Sequence, residues 1–255
     1  MRNSLEGKTI LVAGAGGIGD ALAARYAAEG ACVVLGDVER TTADRAVAAI
    51  NEGGGRAIAT VLDGSDPDSI AAAVALCLET FGGLDGLHAN FAYMADGDPR
   101  MGILELPLEV YDETQRVNAR GFYLCTRAVL PVMLERGGGS ILYTSSAVGD
   151  AASPAQVSYA MSKSAGHALM RHVAKRFGAQ NIRANTIAPA MTLHSRILDL
   201  VPPELIDFAK SQAAIKSRVG RPDDIAAMAA LLMSDDGSYI TGQVISIDGG
   251  TTMRP

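Results

Sequence analysis

Short, almost continuous apolar runs recur along this chain, and each is followed by a longer stretch in which apolar residues return at helical spacing. The runs are TILVAG, ACVVLGD ending at Asp37, AIATVLD leading to Asp63, LDGLHAN, SILYTSS, IRANTIAP and QVISIDGG. Between them lie GDALAARYAAEG and helical stretches at 41–52, 66–81, 110–134 (with Pro131 in its last turn), 155–177 and 222–233. Runs apolar at nearly every position suit strands buried on both faces, and regular βα alternation implies parallel strands with helices on both sides. The pattern predicts an α/β fold, a parallel sheet with helices on both faces, in a single domain spanning 1–255. It is broken only at 190 to about 220, where Leu193, Ile197, Leu198, Leu200, Val201, Leu205, Ile206 and Phe208 are interleaved with polar residues. We expect a substrate-covering lid at about 190–215, with an ordinary amphipathic helix packed on the core as the alternative.

The first helix is entered through Gly14, Ala15, Gly16, Gly17, Ile18 and Gly19, a GxGxxG pattern between a strand and a helix. Backbone amides at such a turn can meet a pyrophosphate. Asp37 stands eighteen residues after Gly19, where a carboxylate accepts hydrogen bonds from an adenosine ribose and repels a 2′-phosphate. NAD is therefore expected over NADP, with Arg40 the one nearby cation that argues otherwise.

Tyr159 and Lys163 are four apart, so a helix places them on one face, roughly 6 Å apart along its axis. A lysine ammonium about 4.5 Å from the phenol would be worth roughly 3 to 4 kcal/mol at an effective dielectric near 20. That would lower the tyrosine pKa by about two or three units, which suits a general acid/base. Ser146 closes the preceding strand and could reach the phenol, with Ser145 competing for the role. A tyrosine and lysine at this spacing arise readily by chance; their company with the glycine turn gives them weight.

Composition narrows the partners. The 255 residues carry a formal charge of -6, and their cations are scattered, which argues against nucleic acid or an anionic membrane. No apolar run reaches the length of a membrane span, and MRNSLEGK enters the first strand too soon for a secretion signal. Cys32, Cys77 and Cys125 lie singly in apolar patterns and read as inert buried thiols, so a cytoplasmic protein is expected. His88, His167 and His172 lack metal-ligand spacing and read as structural; no metal is expected.

Glycine turn, acid, serine, tyrosine and lysine in this order closely resemble the short-chain dehydrogenase/reductase family over nearly the whole chain. Asn118 in RVNARGF and the ending RVGRPDDIAAMAALLMSDDGSYITGQVISIDGG strengthen the likeness. The resemblance implies a doubly wound, Rossmann-like sheet of about seven strands, a nicotinamide cofactor, and a homotetramer or homodimer built through the helices at 110–134 and 155–177. It implies catalytic roles for Ser146, Tyr159, Lys163 and Asn118, the asparagine positioning a water. It also implies cofactor contacts at Asp63, Asn90, Tyr159, Lys163, Thr192 and the segment ending at Pro189, alongside the glycine turn and Asp37. Four features depart from the family pattern: a first turn shorter by one residue, Ala89-Asn90-Phe91-Ala92 for the usual NNAG, Ala190 after Pro189, and His194 at a threonine position. Phe91 is expected to reshape the cofactor's passage.

Phe91, Tyr93, Met94, Val148 and Met191 are expected as apolar pocket walls, with Ser146 and His194 also on the substrate. The sequence therefore reads as an NAD-dependent oxidoreductase acting on an apolar secondary alcohol or its ketone. The alternatives are an NADPH-dependent 3-oxoacyl reductase, disfavoured by Asp37 and Glu39, and a non-catalytic NAD-binding sensor or scaffold.

Overall fold

The computed structural model describes residues 4–95, 101–151, 154–194, 197–198 and 200–253. Its elements run β1 (Thr9–Ala13), α1 (Ile18–Ala28), β2 (Cys32–Asp37), α2 (Arg40–Glu52), β3 (Arg56–Val61), α3 (Pro67–Phe81) and β4 (Gly86–Ala89). They continue α4 (Leu108–Thr114), α5 (Arg120–Arg136), β5 (Gly139–Thr144), α6 (Val157–Phe177), β6 (Ile182–Pro189), α7 (Pro203–Gln212), α8 (Pro222–Met233) and β7 (Val244–Ile247). The seven strands form one parallel sheet in the order β3-β2-β1-β4-β5-β6-β7. The order reverses between β1 and β4, and the crevice at the strands' C-terminal ends there is where open α/β sheets bind ligands.

Every residue of β1 is buried, as a central strand covered on both faces requires. One layer packs Leu22, Tyr26, Val47, Ile50, Ala226 and Leu232 of α1, α2 and α8 on the sheet. The opposite layer packs Ile70, Cys77, Phe122, Val129, Met133 and Met170 of α3, α5 and α6. The three cysteines are free and buried, as expected. Helix α3 begins after Asp66, whose side chain accepts from the Asp68 amide at 3.0 Å, with Pro67 in the first position, and it ends on left-handed Gly82.

Three elements differ from the sequence pattern. The stretch expected at 110–134 runs from Leu108 to Arg136 and is interrupted by a π-helical turn, Gln115–Ala119, that turns Asn118 fully inward. Helix α6 starts at Val157 rather than at 155, because Gln156 takes a left-handed conformation (φ 62°) incompatible with continuing the helix backwards. Within 190–220, α7 buries none of its residues, and Leu205 and Phe208 are more than half exposed. It is helical, but it does not pack on the core.

Candidate active site

The glycine turn is pinned from three sides. The Ala15 amide donates to Asp37 Oδ2 at 3.0 Å, the Gly16 amide to Asp20 Oδ1 at 2.6 Å, and Asn90 Nδ2 to the Gly14 carbonyl at 3.0 Å. Gly14 has φ 104°, and a Cβ there would lie 2.6 Å from the Phe91 amide nitrogen. A Cβ on Gly19 would overlap the Gly14 carbonyl oxygen. The turn thus needs glycine both for its backbone angles and for the close passage of the chain following β4. Asp20 went unnoticed in the sequence, although an acid in the first turn of a helix after a glycine loop is a readable signal.

Phe91, expected to reshape the cofactor's passage or to wall a substrate pocket, packs its ring against α5. Its ring centroid is 5.5 Å from that of Phe122, and a Cβ added to Gly64 or Gly121 would come within 2.5 or 2.7 Å of the ring. The two glycines open a slot that takes the phenylalanine towards α5. Nearby, Asp63 Oδ1 accepts from the Ser65 amide and hydroxyl at 2.8 and 2.6 Å, and the hydroxyl contact is the main reason its carboxyl is held below the usual range. Arg116 Nη1 reaches the same Ser65 hydroxyl at 2.6 Å.

At the C-terminal end of β5 the two serines part. Ser145 is buried, with its hydroxyl 2.8 Å from His167 Nε2, whereas the Ser146 hydroxyl lies near enough to the Tyr159 phenol to lower its pKa. Lys163 is buried; its Nζ donates to the Thr144 carbonyl at 2.8 Å and lies 5.5 Å from the Tyr159 ring centroid. Asn118 Oδ1 accepts from the Tyr93 amide at 2.6 Å, while its Nδ2 donates to the Tyr93 carbonyl at 2.9 Å and to Ser162 Oγ at 3.0 Å. Ser162 in turn donates to the Tyr159 carbonyl at 2.7 Å. Asn118 therefore ties the segment following β4 to the first turns of α6.

The expected lowering of the tyrosine pKa does not occur. Burial pushes the Tyr159 phenol up to about 12, only partly opposed by the Ser146 hydrogen bond, and burial brings the Lys163 ammonium down to about 7. Burial disfavours the charged form of each group, the phenolate and the ammonium alike. Because the Lys163 pKa falls from 10.5 in an unfolded chain to about 7 in the fold, the unfolded state binds more protons between those values. The penalty is fully present below pH 7 and fades as pH rises towards 10.5. Thermal melts of the cofactor-free protein should show Lys163→Met gaining stability relative to wild type near pH 6.5 and losing that advantage by pH 9.5; parallel pH curves would contradict the assignment.

The remaining expected positions are less concentrated. The Thr192 hydroxyl turns onto the Ala190 carbonyl at 3.1 Å. The His194 ring lies against the glycine turn, 2.7 Å from where a Gly17 Cβ would be. Val148 lines a cleft with Val157 and Met161, Met191 lines a separate pocket with Ile215 and Ile247, and Met94 is exposed. Ile18 opens α1 and Pro189 ends β6, beside the crevice. Among the described residues no cluster suits a metal, and no helix is long and apolar enough to cross a membrane.

The family described as enoyl-(acyl carrier protein) reductase matches residues 12–252. A probable short-chain type dehydrogenase/reductase of Bradyrhizobium diazoefficiens is 40% identical over 96% of this chain and 87% of its own. A 3-oxoacyl-(acyl-carrier-protein) reductase of Thermotoga maritima is 34% identical over 96% of this chain and 98% of its own. The structure of 7 alpha-hydroxysteroid dehydrogenase complexed with NADH and 7-oxo glycochenodeoxycholic acid superposes with a TM-score of 0.90 at 30% identity, covering 98% of this chain and 96% of that one. The chain belongs to the short-chain dehydrogenase/reductase family of nucleotide-binding oxidoreductases. Within it, the chain is similar both to dehydrogenases and to a 3-oxoacyl reductase.

Proposed function

We propose that the protein transfers hydride between NAD and a secondary alcohol or its ketone, with Tyr159 as general acid/base. The observation that carries this reading is the convergence of Ser146, Tyr159 and Lys163 at the end of β5, on the same edge of the sheet as the pinned glycine turn. A turn that side chains would fill, with a carboxylate at its rim, fits a dinucleotide. The nicotinamide, when bound, accepts or supplies the hydride. Ser146 holds the substrate oxygen against the phenol, Tyr159 gives or takes the proton on that oxygen, and Lys163 is anchored beside it by the Thr144 carbonyl. A phenol protonated up to about 12 is ready to donate a proton in ketone reduction, whereas alcohol oxidation must first remove that proton.

Asp37 supports NAD. Its carboxylate lies against the Ala15 amide at the rim of the turn, and Arg40, the cation that could attract a 2′-phosphate, pairs instead with Asp44 at 3.1 Å. Two like charges about 4 Å apart repel by several kcal/mol at an effective dielectric near 20. Asp37→Ala should therefore raise kcat/KM with NADP relative to NAD by about tenfold to a hundredfold, read from initial rates with each cofactor; an unchanged ratio would refute this role. The exposed Leu205 and Phe208 of α7 suit an apolar substrate. The likeness to a 3-oxoacyl reductase keeps acyl substrates as a second reading.

A further inference from the structure

A buried polar chain runs from α1 to the glycine turn, and its direction follows from the donors and acceptors along it. Asn90 must give an N–H to the Gly14 carbonyl, so its Oδ1 accepts the Thr144 hydroxyl proton at 2.9 Å. With its proton committed, Thr144 Oγ1 can only accept from His88 Nε2, 2.9 Å away. His88 Nδ1 must then accept the Tyr26 phenol proton at 2.7 Å. Tyr26 and His88 are completely inaccessible to solvent, and burial holds the imidazole neutral, lowering its pKa to about 3. Only the tautomer carrying its proton on Nε2 satisfies every member.

We propose that His88 is a positioning residue of the cofactor site: oriented by Tyr26, it fixes the Thr144 hydroxyl and thereby the Asn90 carboxamide that holds the glycine turn. The effect should fall on cofactor affinity more than on turnover. The backbone of Thr144, whose carbonyl anchors Lys163, stands in register opposite Ile187 of β6. The inference rests on the dinucleotide reading of the turn, but not on the choice between NAD and NADP.

The test compares a double variant with a single one, each chosen so that the groups it leaves in the chain keep their partners. Tyr26→Phe/His88→Val replaces the polar pair by an apolar one and lets the Thr144 hydroxyl turn. In His88→Gln, with Tyr26 kept, the carboxamide supplies an N–H where Nε2 stood and an oxygen that accepts the Tyr26 phenol proton where Nδ1 stood. Titration of the wild type with NAD and with NADP comes first, and the preferred cofactor is used throughout, so failure of the NAD assignment is seen separately. The valine variant should bind that cofactor about fivefold more weakly, with kcat at saturation changed less than twofold, and the glutamine variant should recover most of the affinity. Equal affinity of the valine variant and wild type would overturn the proposal, as would a glutamine variant no better than valine. If either variant fails to fold, the imidazole 15N shifts of the intact protein decide: a proton on Nε2 at all pH values from 5 to 9 supports the chain, and a proton on Nδ1 or a titrating ring refutes it.

Discussion

Tyr159→Phe should cut turnover by about 10²- to 10⁴-fold in both directions while leaving cofactor affinity within about twofold of wild type. The variant keeps the ring, and Lys163 keeps its bond to the Thr144 carbonyl, so the anchoring of the lysine survives. Only the phenol O–H is lost, and with it the group that exchanges a proton with the substrate. Fluorescence titration with the cofactor alongside steady-state rates separates the two effects. In the wild type, alcohol oxidation should accelerate as pH rises, because burial keeps the phenol protonated up to about 12, whereas ketone reduction should not. Residual activity of the phenylalanine variant near the wild-type level would remove Tyr159 from the chemistry.

The second large effect is expected at Gly19. An alanine there would drive its Cβ into the Gly14 carbonyl oxygen and to 3.1 Å from Asn90 Nδ2, so the turn must open and the Asn90 bond must lengthen. Overpacking of this kind costs about 1–3 kcal/mol, or roughly 2–4 °C of melting temperature per kcal/mol in a chain of this size. Cofactor affinity should fall more steeply, by about a hundredfold, because the amides of the turn lose their geometry together. Gly54→Ala is the control: its added Cβ meets nothing within 4 Å, so whatever its positive φ (83°) costs falls far from the turn. A Gly19→Ala protein that binds the cofactor like wild type would show the turn to be more forgiving than its packing implies.

The contrast between these two sites shows what the sequence makes legible. The strands and most helices could be read because a sheet covered on both faces demands apolar runs, and helices on its flanks demand their own spacing. The glycine turn with Asp37, and the tyrosine four residues before its lysine, were legible because they are local in sequence. Ser146 could be read ahead of Ser145 from the family resemblance, but the physical reason could not: His167 of α6 claims the Ser145 hydroxyl. The destination of Phe91 was hidden because Gly64 and Gly121, which make its slot, are far away in the chain. The pKa of Tyr159 came out with the wrong sign because spacing reports the nearby cation but not the burial that both groups pay for. The His88 chain joins residues 26, 88, 90 and 144 through hydrogen bonds that no spacing rule anticipates.

The most direct test of the central claim is the initial rate of reduced-nicotinamide formation by the wild-type protein, with NAD and with NADP, over cyclic, aromatic and aliphatic secondary alcohols. The account predicts turnover of at least one apolar alcohol with kcat/KM clearly higher for NAD than for NADP. A preference for NADP, or tight cofactor binding with no turnover in either direction across the alcohols and their ketones, would contradict it.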